Sequence, residues 1–148
     1  MNLINEMKLM FLSKSVNESF ARTTISAFIT ALDPTISELT DIKTAVSEAV
    51  TNSIVHAYKD TVGLIYIHAQ IYDLGKIIIK IKDKGLGIED VKKAMEPLFT
   101  TGGEERAGLG FAVMQSFMDK VKVISKPSKG TTITLEKTII PRVNSKNG

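Results

Sequence analysis

Residues 64–83 read LIYIHAQIYDLGKIIIKIKD, and the reading of this stretch decides the fold. From Leu64 to Tyr72 apolar and polar residues alternate weakly, and from Lys76 to Lys82 isoleucines alternate with lysines around a central Ile-Ile-Ile run. A period of two is the signature of a half-buried strand. Asp73-Leu74-Gly75 between the two runs supplies turn residues, so the stretch predicts a β-hairpin. Lys76, Lys80, Lys82 and Lys84 share even numbering and would lie on one solvated face.

Moving upstream, the period changes. Residues from about Ser37 to Tyr58 carry Leu39, Ile42, Val46, Ala49, Val50, Ile54 and Ala57 at helical spacing, which predicts a long amphipathic helix. Before it, a second helix opens at Asn17 with Glu18 in its first turn, where an acidic side chain suits the helix dipole. Its expected core stripe is Val16, Phe20, Ala27 and Ala31, widened by Phe28 and Leu32, and Asp33-Pro34 stops it. Met7 to Leu12 reads as a first strand. Downstream of the hairpin come a loop with Gly85 and Gly87, a short helical stretch near Asp90 to Met95, and a polar segment from Pro97 to Arg106. Gly108-Leu109-Gly110 then opens a helix through Phe117. Lys120 to Ser125 and Thr131 to Ile139 close the chain as a strand pair around Lys129-Gly130, with a frayed tail from about 141 to 148. Helices grouped before largely antiparallel strands predict an α+β two-layer sandwich, its mixed, mostly antiparallel sheet covered on one face by helices.

The composition agrees with one domain over residues 1–148. Hydrophobic residues make up 43% and charged residues 24%, as in ordinary globular proteins. No apolar run approaches the roughly 18 residues of a membrane helix, and the N-terminal stretch carries charges unlike a signal peptide. The absence of cysteine excludes disulfides and thiolate metal sites and suits the cytoplasm, and two histidines leave little for a zinc centre. The net charge of +3 comes from scattered lysines, which does not point to direct nucleic-acid binding.

Four places carry candidate chemistry. Glu48, Asn52 and His56 stand at i, i+4 and i+8 of the long helix and stack along one face. A Glu at the edge of a buried face needs a partner or a cleft; the alternative is a solvated Glu bonded to Asn52. Asp83 follows an apolar strand and precedes Gly85 and Gly87, an acceptor beside backbone that a ligand can approach, or else a plain Asp-x-Gly turn. It is no dinucleotide fingerprint, since residue 90 is Asp where a third glycine belongs. Arg106 precedes Gly108 and Gly110, whose backbone N–H groups at a helix start suit an anion, or simply shape the backbone there. Thr131 and Thr132 follow Gly130 in a hairpin, where hydroxyls usually bond locally. A P-loop is excluded, because no Gly-x-x-x-x-Gly-Lys-Ser/Thr occurs.

Taken in this order, the four blocks resemble the ATP-binding (Bergerat-type) fold shared by gyrase, the ninety-kilodalton heat-shock chaperone, histidine kinases and the MutL repair protein. Residues 17–22 (NESFAR), 32–35 (LDPT), 46–52 (VSEAVTN) and 97–101 (PLFTT) further resemble the bacterial anti-sigma F factor family, the serine-protein kinases of sporulation. That resemblance implies Glu48 as general base toward a substrate serine and Asn52 as the Mg²⁺ ligand. It implies Asp83 at the adenine amino group of ATP or ADP, with Gly87 and Thr131 lining the base pocket. A lid would run from Thr100 to Arg106, with Arg106 at the γ-phosphate and Gly108 and Gly110 cradling phosphates. Partners would be a second copy of the chain, a sigma factor gripped through Arg22, and an anti-anti-sigma protein bearing the serine. Arg22 lies about 200° from Phe20 around the first helix, away from the expected stripe. No phosphoacceptor-histidine helix pair is present, so a whole histidine kinase is not expected. Two other readings stay open: a nucleotide-dependent binding module with little transfer chemistry, and a basic nucleic-acid binder.

Overall fold

The isoleucines of the hairpin set the architecture. In the computed structural model, which describes residues 1–96 and 103–140, strands β2 (Leu64–Tyr72) and β3 (Lys76–Asp83) pair antiparallel with Ile67 opposite Ile81 and Ala69 opposite Ile79. Leu74 and Gly75 both take positive φ (62° and 79°), the backbone that lets so short a connection match the strand twist. β1 (Leu3–Leu12) joins the free edge of β2, while β5 (Gly130–Thr138) pairs with β3 and carries β4 (Lys120–Lys126) on its far side. The sheet order is β1-β2-β3-β5-β4, and the mostly antiparallel sheet that was expected is antiparallel at every pairing, with no parallel pair among the described strands.

Helices α1 (Val16–Ile29), α2 (Ile36–Asn52), α3 (Val91–Met95) and α4 (Gly103–Phe117) complete the two-layer sandwich. The core lies between the layers, built from Ile65, Ile67, Ile77, Ile79, Ile81, Ile133 and Leu135 of the sheet against Ile42, Val46, Ala49 and Val50 of α2 and Phe111 and Met114 of α4. α2 begins on a capping box: the Thr35 hydroxyl accepts the Glu38 N–H at 3.0 Å and the Glu38 carboxylate accepts the Thr35 N–H at 2.8 Å. Those bonds anchor the helix that carries Glu48.

Three sequence expectations change. On α1 the buried stripe is Ala21, Ile25 and Ile29, with Phe28 and Leu32 packed beside it; Val16, Phe20, Ala27 and Ala31 are exposed. α1 offers apolar residues in more than one phase, and the phase that turns Ala21 and two isoleucines inward is the one buried. Phe20 is left to meet Phe11 edge-on at a ring distance of 6.3 Å. The long helix stops being regular at Asn52 and passes through one π turn, Ser53–Ala57. α4 starts at Gly103 rather than Gly108, because Glu104, Glu105, Arg106 and Ala107 are good helix formers that carry the helix upstream. Pro97–Gly102 and the tail after residue 140 lie outside the described residues. No described helix is long and apolar enough to cross a membrane.

Candidate nucleotide site

Glu48 and Asn52 stand half-buried on α2, next to Ala49 and Val50, which are fully buried. Neither side chain bonds to any described residue, so the alternative of a Glu48–Asn52 hydrogen bond is not realised. What faces Glu48 is a glycine: a Cβ added at Gly110 of α4 would stand 3.2 Å from Glu48 Oε2. Where α2 and α4 pack together, a methyl at residue 110 would crowd the carboxylate by a few tenths of an ångström, and glycine leaves it that room.

One residue beyond Asn52 the surroundings change. The Ser53 hydroxyl, buried at the start of the π turn, donates to Asp83 Oδ2 at 2.9 Å. Asp83 ends β3 and is 3% exposed. Its Oδ1 accepts the Gly85 N–H at 3.0 Å and the Thr131 N–H at 3.2 Å. Burial pushes the Asp83 carboxyl above the ordinary carboxylate range, and the bonds from Gly85, Ser53 and Thr131 offset only part of that rise. A buried acceptor with three donors fixed around it is positioned rigidly, and it retains lone-pair capacity for one more donor.

The loop after Asp83 is sewn to two neighbours. Leu86 N–H donates to the Ala57 carbonyl at 3.0 Å, and Ser128 N–H donates to the Leu86 carbonyl. Ile88 N–H donates to the Ser125 hydroxyl at 2.8 Å, and Ser125 Oγ lies 2.7 Å from Thr131 Oγ1. Gly87 sits in this loop with φ 75°, where a Cβ would strike the Lys126 carbonyl; the turn closes only with glycine. Tyr58 completes the frame: its hydroxyl accepts the Lys84 N–H and donates to the Leu64 carbonyl, both at 2.7 Å.

Asp83, Gly87 and Thr131 thus lie together beside Ser53, just past the C-terminal end of α2, and Glu48 and Asn52, with Gly110 facing Glu48, stand in the last turn of the same helix. Gly108 lies inside α4, not at its start. Of the expected lid, Thr100 to Gly102 and the Arg106 side chain fall outside the described residues, while residues 103–106 form the first turn of α4. His56 lies in the π turn. Arg22 follows the buried Ala21, keeps its side chain 39% exposed, and pairs with Glu18 one turn earlier at 3.5 Å. Sequence reasoning missed Ser53, Tyr58 and Ser125. A serine at the edge of the Val50 and Ile54 face was the available sign for Ser53; the other two depend on pairings that only the folded sheet creates.

Among the described residues no group of three His, Cys, Asp or Glu could hold a metal. The uncommitted Asn52 oxygen suits a cation that takes most of its ligands from water and phosphate, as Mg²⁺ does.

Comparison with known proteins agrees with this geometry. Residues 14–137 match the histidine kinase-like ATPase domain. The chain is 62% identical over 136 residues to the anti-sigma F factor of Caldanaerobacter subterraneus subsp. tengcongensis, covering 91% of this chain and 94% of the relative. It is 56% identical to that of Halalkalibacterium halodurans, covering 90% and 92%. Among solved structures, the RsbU and RsbW domains of a Mycobacterium tuberculosis protein superpose with a TM-score of 0.67 at 17% identity, over 95% of this chain and 35% of that one. The blue-light activated histidine kinase domain of Erythrobacter litoralis superposes at 0.56 with 18% identity, over 82% of this chain and 60% of that chain. Both structures share the fold. The chain belongs to the anti-sigma F factor family, within the histidine kinase-like ATPase domains.

Proposed function

We propose that this chain binds a sigma factor and uses ATP to phosphorylate a serine of an antagonist protein, thereby switching between partners. The observation that carries the reading is the state of Glu48: a half-buried carboxylate with no described partner, facing Gly110 one helical turn from Asn52. A structural carboxylate in that position would be expected to have a bonded neighbour.

Asp83 accepts the adenine amino group in the pocket closed by Gly87 and Thr131. From Ser53, which holds Asp83, to Asn52 and Glu48 the helix rises about 1.5 Å per residue, so Glu48 stands about 7.5 Å along the axis from the base end. Base, phosphates and acceptor hydroxyl then follow in order along α2. Mg²⁺ held through the Asn52 oxygen would neutralise phosphate charge. Glu48 takes the proton of the serine hydroxyl while that oxygen bonds to the γ-phosphorus and the bond to the β-phosphate oxygen breaks, leaving ADP. Gly108 and Gly110 line the phosphate end, Thr100 belongs to the lid, and Arg106 contacts the γ-phosphate. Arg22 of α1 anchors the sigma factor, and the working unit is a homodimer in the cytoplasm.

The test is incubation with labelled ATP, Mg²⁺ and a candidate anti-anti-sigma protein. Labelled phosphoserine on that protein is the expected result. Nucleotide binding without transfer would leave the binding-module reading, in which ATP or ADP only sets partner preference.

A further inference from the structure

The helices cover one face of the sheet, and the even-numbered side chains of its strands form the other. Two neighbouring rows run across all five strands of that face. The first is Lys8, His68, Lys80, Thr134 and Lys122; the second is Met10, Tyr66, Lys82, Thr132 and Ile124. Lys8, Lys80, Lys82 and Lys84 surround Tyr66 in a shallow depression of about 380 Å³. Lys8, Lys80, Lys82 and Lys122 are exposed and pair with no described carboxylate. The two carboxylates this face carries are already engaged, Glu6 with His68 at 2.7 Å and Glu136 with Lys76 at 3.0 Å. A net charge of only +3 for the whole chain therefore conceals a strongly basic surface.

We infer that this open sheet face is a docking surface for an acidic polypeptide segment that also carries apolar side chains. Charge complementarity identifies the acidic component. The apolar component follows from Met10 and Ile124, which are 59% and 56% exposed at opposite ends of the second row, with Leu12 at 43% beside Met10. A segment crossing the strands would set carboxylates over the lysine row and apolar side chains over the row next to it. A second copy of this face is disfavoured, since like charges would meet. Single-stranded nucleic acid fits less well: it offers nothing for Met10, Leu12 and Ile124, and the Tyr66 ring is covered by Lys84, whose Nζ lies 5.3 Å from the ring centre. The surface is distinct from the nucleotide site and from α1, so its test is independent of the kinase reading.

The probe is a short fluorescein-labelled peptide of Glu and Asp interspersed with leucine, followed by anisotropy at rising salt. A leucine-free acidic peptide, an oligothymidylate and phosphatidylserine vesicles serve as competitors. The intact chain should bind the leucine-containing peptide most tightly, and the triple variant Lys8→Glu/Lys80→Glu/Lys122→Glu should bind it at least about tenfold more weakly. The milder Lys8→Gln/Lys80→Gln/Lys122→Gln should fall between them while ATP binding persists, which separates lost charge from lost fold. Peptide binding unchanged in both triple variants would overturn the inference. So would equal binding of the leucine-free peptide, or tighter binding of the oligonucleotide or the vesicles.

Discussion

Asp83 and Glu48 are two carboxylates at the two ends of one short span of α2 and its π turn, and their surroundings are opposite. Asp83 is buried, receives three hydrogen bonds and is locked between a helix, a strand and a loop. Glu48 is half-buried, meets a glycine and is bonded to nothing described. A group that recognises a fixed shape benefits from being immobilised. A group that must take a proton has to keep its lone pairs free until the substrate arrives. On the proposed reading, the same side-chain chemistry serves recognition at one end of this span and reaction at the other, and packing makes the difference.

Substitutions at the two ends should separate these roles. The largest effect is expected from Glu48→Gln, which keeps shape and removes basicity: phosphoryl transfer to the serine substrate should fall roughly 10²–10⁴-fold with ATP affinity nearly unchanged. Unaltered transfer in a single-turnover assay would defeat the base assignment. Asp83→Asn should do the reverse. Losing a charged acceptor costs about 1.5–3 kcal/mol, so ATP affinity measured by calorimetry should drop roughly 10–100-fold, while transfer at saturating ATP changes little.

Ser53→Ala comes next. It deletes one of the bonds that hold Asp83 below its fully desolvated value, so the Asp83 carboxyl should move further up. For an acid whose folded pKa is raised, the associated stability is fully present below the unfolded pKa, near the ordinary 3.8 of an aspartate, and is lost as pH rises through the folded pKa. Both the acid-side loss of ATP affinity and this stability window should therefore shift to higher pH, with affinity at neutral pH lowered by roughly fivefold. An unchanged pH profile would show that Ser53 does not govern Asp83. The smallest effect is expected from Gly110→Ala. The new methyl would crowd the flexible end of Glu48 while an Ala replaces Gly in a helix, so melting temperature should hold or rise as transfer falls a few-fold. A fall in both would mean that the backbone, not Glu48, gives way.

The legibility of each end in the sequence follows the same division. Glu48 and Asn52 were readable because helical spacing alone stacks them, and Asp83 because an alternating strand ended in Asp-x-Gly. The hairpin that sets the sheet was legible from its isoleucines. The partners of Asp83 were not: Ser53 reaches it across 30 residues and Thr131 across 48, distances over which no local period speaks. The phase of α1 was misread because small and large apolar residues share its turns. The start of α4 was missed because glycine signals were weighed above the helix-forming Glu104 to Ala107 run.

The π turn at Ser53–Ala57 has one further consequence. Such a turn holds one residue more than a regular helix needs. That extra residue acts as a phase shift: upstream of it α2 keeps Ala49 and Val50 against the core, and downstream of it Tyr58 reaches the Lys84 N–H and the Leu64 carbonyl. Removing it would restore an uninterrupted helix and rotate everything beyond by about 100°. The surplus residue is what lets a single rod face two directions.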